Sequence, residues 1–121
     1  MTNQGSIQLL TAQSMGASLA SAGIFLANQY AYSIQGVWSA GTSPVGTFKL
    51  QGSNDSGDIG SGQGVSQPTN WTDIADSAQA ISGNTGSILY DVTQCSYRFV
   101  RLVYTRVSGT ATLSATMQVK G

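Results

Sequence analysis

Apolar and polar residues alternate most regularly near the C-terminus, where Ala111, Leu113, Ala115, Met117 and Val119 interleave with Thr110, Thr112, Ser114, Thr116, Gln118 and Lys120. A repeat of two is the spacing of a β-strand with one buried face, since successive side chains point to opposite sides of the pleat. The preceding run, residues 97–107, is rich in β-branched and aromatic side chains and is partly apolar on both faces. Val100, Leu102 and Tyr104 share one face, and Tyr97, Phe99, Val103 and Val107 share the other. Such a strand belongs at the centre of a sheet or meets a partner on each side. Ser108 and Gly109 separate the two runs, and this pair suits a tight turn, so the pattern predicts a long terminal hairpin.

Shorter β patterns precede it, at residues 24–27, 30–38, 47–52, 71–75 and 87–92, with 78–81 as one more short candidate. Clusters of Gly, Pro, Asn and Ser at 41–46 and 82–86 divide them. Residues 9–22 hold the only weak helical stripe, and their small side chains suit an extended segment equally well. Six to eight strands with frequent turns predict a single all-β domain, an antiparallel β-sandwich of jelly-roll-like form. Phe48, Leu50, Trp71, Ile74, Val100, Leu102, Leu113 and Met117 are its expected core. The longest connection, residues 53–70, is Gly- and Ser-rich and reads either as a surface excursion or as a binding edge.

Residues 1–21 are mainly Ser, Ala, Gln and Thr, with Ile7, Leu9, Leu10, Met15 and Leu19 as sparse apolar positions. This divides the chain into an N-terminal assembly arm, 1–21, and a sandwich domain, 22–121. Ile7, Leu9 and Leu10 are the candidate assembly contacts. Because Ile7 and Leu9 alternate, the same segment also reads as a first strand at a sheet edge, and the two readings are compatible.

Composition narrows the function. Only 8% of the 121 residues are charged, against roughly 25% in an average soluble protein. Five Lys or Arg balance five acidic residues, all of them Asp, so no long-range field gathers phosphates or an anionic membrane. Neither nucleic acid nor membrane is an expected partner. A near-neutral surface is also poor at keeping copies apart, which suits a protein that works as an assembly. The first residues carry no positive cluster of the kind that opens a secretory signal, and Ser14, Ser18, Ser21 and Gly23 interrupt the Ala-rich stretch behind them. Synthesis in a cytoplasm without export is expected.

The absence of histidine removes the commonest general base, the commonest metal ligand and every Ser-His or Cys-His nucleophile pair. Cys95 has no cysteine to pair with and reads as a small buried filler. Asp55, Asp58, Asp73, Asp76 and Asp91 could in principle supply a glycosidase pair, but Asp55 and Asp58 fall in the long loop and Asp73 and Asp76 flank a strand end. The stretch from Asp55 to Asp58 lacks the spacing and terminal Glu of a calcium loop. No catalytic residue, metal ligand or cofactor is expected, and the chain is read as a non-enzyme. Tyr30, Tyr32, Trp38 and Trp71 could form a sugar-stacking platform, although Tyr32, Ile34, Gly36 and Trp38 at spacing two fit one packed strand face.

SIQGVW at 33–38, GTFKLQGSND at 46–55, NWTDI at 70–74 and YRFVRLVYTRVSGTATLSA at 97–115 together resemble small structural proteins encoded with the virions of tailed bacteriophages. The resemblance covers residues 30–121. It implies a sandwich displayed in many copies on a virion, as a capsid decoration (cement) or tail protein. The implied partners are further copies of the chain, with a trimer as one plausible form, and the major capsid or tail proteins. The order F-x-L-x-G-S-N-D, W-x-x-I, Y-x-F-V-R-L also resembles discoidin-like modules, which implies a glycan-recognising alternative but carries no ligand residue onto this chain.

Overall fold

The computed structural model describes residues 4–26, 30–54, 68–81 and 83–120. Every regular element among them is a strand: β1 (Gln4–Ser14), β2 (Leu19–Ala20), β3 (Ile24–Phe25), β4 (Ala31–Ser53), β5 (Thr72–Asp73), β6 (Gln79–Ile81), β7 (Gly86–Val92) and β8 (Phe99–Lys120). All pairings are antiparallel within one continuous sheet. Residues 9–22 contain no helix, in keeping with their extended reading.

Two very long strands organise the molecule. β4 and β8 pair along almost their whole length, from Ala31 opposite Lys120 to Ser53 opposite Phe99. β4 and β8 are longer than a flat sheet face requires, and both bend at the same place, with register shifts between Ser39 and Gly46. Irregularities of this kind let a strand pass from one layer to another. One layer has the order β1-β8-β4-β7; in the other, β2 and β3 flank β8 while β5 and β6 flank β4.

The corner explains why the hairpin expected at Ser108 and Gly109 does not form. Gly109 does take a positive φ of 73°, but Ser108 pairs with Val45 and Thr110 with Thr42, so the strand continues through it. The conformational freedom of glycine serves a bulge instead of a turn, because a Cβ there would strike the backbone carbonyl of Ser43. On the β4 side, Ala40 and Ser43 also have positive φ. Asn84 holds them, its carbonyl accepting from Gly41 N at 3.0 Å and its Oδ1 accepting from Ser43 N at 2.8 Å. The bulge shifts the alternation of β8: Val100, Leu102 and Tyr104 point inward before it, and Ala111, Leu113, Ala115 and Met117 after it.

Both layers therefore turn one face to a shared core. Trp38 of the first layer meets Phe48 of the second with ring centroids 5.9 Å apart, and Phe48 meets Tyr104 at 4.9 Å. The Tyr90 hydroxyl donates across to the Ser77 carbonyl at 2.7 Å, satisfying two buried polar groups between the layers. Six of the eight expected core residues, Phe48, Leu50, Val100, Leu102, Leu113 and Met117, are completely or almost completely buried, and Ile74 packs partly against them. Trp71 is the exception and lies on the outward face.

Candidate functional site

Candidate residues are spread over several places, one of which the sequence did not single out. Ile7, Leu9 and Leu10 lie on β1, partly buried against the core, with Ile7 opposite Met117 and Leu10 opposite Ala115 of the same chain. Register shifts occur between Gln8 and Leu10 and between Leu10 and Gln13. Side chains fix these irregularities: the Gln8 amide donates to the Leu10 and Ala115 carbonyls, and Ser114 Oγ accepts from Ala12 N at 3.0 Å. β1 is thus an irregular edge strand clamped to its own sheet.

The second place is the outward face of β4, β5 and β8, where Lys49, Gln51, Arg101 and Asp73 form one network. Arg101 donates to Gln51 Oε1 through Nε at 2.8 Å and Nη2 at 2.6 Å, and its guanidinium lies over the Trp71 ring, 4.4 Å from the centroid. Gln51 Nε2 donates to Asp73 Oδ1 at 2.9 Å, and Lys49 Nζ reaches the same carboxylate at 3.1 Å. The Gln51 amide, then Lys49, holds the Asp73 carboxyl below its ordinary value. Partial burial disfavours the charge on Arg101 and lowers its pKa. The alternation of Lys49 and Gln51 with Phe48 and Leu50 marks this face in the sequence. Nothing in the sequence pairs Gln51 with Arg101, which only the sheet register brings together.

The three described aspartates do not converge. Asp55 and Asp58 lie outside the described residues. Asp73 belongs to the network, Asp76 occupies a turn with φ of 62°, and Asp91 sits on β7 opposite Ser33 in the other layer. Among the described residues, no cluster of three or more His, Cys, Asp or Glu side chains could hold a metal. Cys95 is half-buried, and burial pushes its thiol pKa up.

The aromatic candidates separate. Tyr32 and Trp38 are buried, and the Tyr32 hydroxyl shares a hydrogen bond with Tyr97. Burial first, then this bond, raises the Tyr32 pKa far above its ordinary value. Tyr30 alone of the four is largely exposed. It borders a cavity of about 350 Å³ whose other lining residues include Ser33, Asp91, Thr93 and Gln118. A second cavity of about 360 Å³ lies between Gly52, Asn54, Asn70, Thr72, Asp73 and Tyr97.

The last place, absent from the sequence reading, is the outer edge of β7. This strand pairs with β4 in unbroken register from Tyr32 opposite Val92 to Trp38 opposite Gly86. Leu89 is 60% exposed, and Val37, its diagonal neighbour across the pair, is 48% exposed.

No family model matches the chain, and no curated protein matches it. Among solved structures, the chain is similar to the SPBc2 prophage-derived protein YomS, with a TM-score of 0.54 and 12% identity over 100% of this chain and 96% of that one. At this identity the likeness is one of fold, end to end.

Proposed function

We propose that this protein is a non-enzymatic structural component of a bacteriophage particle, a capsid decoration protein that works as a homo-oligomer bound to the particle lattice. The observation that carries the reading is the fold shared along both chains with a prophage-derived protein. The near-neutral, charge-poor chain supports it, because weak self-repulsion favours association. The lack of histidine and the scatter of the described aspartates support a role without turnover. Multiple linked contacts on a lattice would multiply a modest single-site affinity. The test is to purify particles from the phage or prophage that encodes the chain and detect it by mass spectrometry and antibody labelling. Stoichiometric, regularly spaced copies are expected; absence from intact particles would refute the reading.

The cavity beside Tyr30 favours a second reading, a glycan-recognising module of a tail or fibre. An exposed aromatic beside a carboxylate, an amide and hydroxyls is the chemistry that stacks on and hydrogen-bonds a sugar. Retention of a saccharide on a glycan array by the isolated protein, lost in Tyr30→Ala, would select it over the first.

A further inference from the structure

A sheet edge is a row of unpaired backbone donors and acceptors, and stable proteins blunt such edges with bulges, charges, proline or a covering segment. The first layer has two edges. β1 is blunted by its register shifts and their side-chain clamps. Of these devices β7 has only one charge, Asp91, near its end. It contains no Pro, Lys or bulge, and among the described residues no backbone group is bonded to its outer side. Leu89 stands beside that side, exposed, with Val37 extending the apolar surface inward.

We propose that the β7 edge pairs with the β7 edge of a second copy of this chain, antiparallel about a two-fold axis through Leu89. The sequence of the strand favours this register. It sets Leu89 against Leu89, Ile88 against Tyr90, and Ser87 against Asp91, so each carboxylate faces a hydroxyl. Centring the axis on Asp91 would place two carboxylates in opposition, and centring it on Tyr90 would place Leu89 against Asp91. The pairing joins two four-stranded layers into one sheet, covers Leu89 and satisfies the free backbone groups. It rests on the homo-oligomeric part of the function proposed above and identifies the surface responsible.

The experiment uses the full chain in a Cys95→Ser background. Opposed residues in antiparallel strands have Cα atoms about 4.5–5.5 Å apart, within disulfide range, whereas residues four positions out of register do not. Leu89→Cys should therefore give a covalent dimer on mild oxidation. Ser87→Cys should not, and Ser87→Cys combined with Asp91→Cys should restore cross-linking. Sedimentation equilibrium of the unmodified chain should show a dimer whose Kd rises about tenfold or more in Leu89→Lys, which places two ammonium groups across the axis. Circular dichroism should be unchanged, as the side chain is exposed. A monomer at all concentrations, a dimer indifferent to Leu89→Lys, or equal cross-linking of Ser87→Cys and Leu89→Cys would overturn the proposal. A β7-dependent dimer missing from particles would refute the virion role and leave the interface standing. Particle-bound protein whose assembly ignores Leu89 would do the reverse.

Discussion

The two faces of the β4–β8 ladder are made by the same strands and the same backbone hydrogen bonds, yet they are held by different physics. Inward, Trp38, Phe48, Leu50, Val100, Leu102 and Tyr104 are buried, and the rings of Trp38, Phe48 and Tyr104 touch in turn. Outward, Lys49, Gln51, Arg101 and Asp73 exchange hydrogen bonds at the surface, with Trp71 beneath the guanidinium. Burial gives the inner face its stability, because apolar area removed from water is worth about 25 cal/mol per Å² and the close-packed rings leave no space to relax into. Exposed charges gain little over their hydrated state, so the outer face contributes geometry more than energy.

The sharpest way to break this contrast is Phe48→Ala. Phe48 joins the two layers through Trp38 and packs on Tyr104 of its own layer, so its loss should cost about 3–5 kcal/mol by denaturant unfolding. A loss under about 1 kcal/mol would show that the layers do not depend on this contact. Gly109→Ala tests the corner. The added methyl meets the Ser43 carbonyl at a backbone angle L-residues resist, and a loss of about 1–3 kcal/mol is expected.

Titration separates the faces next. Burial pushes Tyr90 from 10.0 up to about 12 and raises Tyr32 further. The folded state thus favours the neutral phenols. The contribution of Tyr90 is complete below pH 10.0 and is lost as pH rises through about 12, and that of Tyr32 is lost only at higher pH. Stability measured against pH should fall across that window, and less steeply in Tyr90→Phe. Asp73 has the opposite sign. Its lowered pKa adds stability above the ordinary carboxylate value, and this is lost as pH falls through the depressed one. The carboxylate is fully exposed, so Asp73→Asn should give the smallest change of the series, and one that shrinks with added salt.

The all-β class, most of the strands and most of the core were legible in the sequence, because a repeat of two forces each strand to bury one set of side chains whatever its neighbours are. That is why Phe48, Leu50, Leu102, Leu113 and Met117 could be named in advance. The position of Trp71 was not legible. Large aromatics are usually buried, and only the register placing Arg101 beside Gln51 and Trp71 gives this ring an outward partner.

The two remaining features depend on which strand pairs with which. Local propensity at Ser108 and Gly109 suits a turn, but β4 offers an antiparallel partner on both sides of the pair, with register shifts at the bend, and continued pairing satisfies backbone groups that a turn would leave to solvent. The exposed edge of β7 likewise follows from its place in the sheet order. Its seven residues look like any other strand until the tertiary structure leaves one side of them without a neighbour among the described residues. Periodicity, a local property, fixed which side chains face inward; pairing, a property of distant segments, decided where the chain bends and which edge stays open.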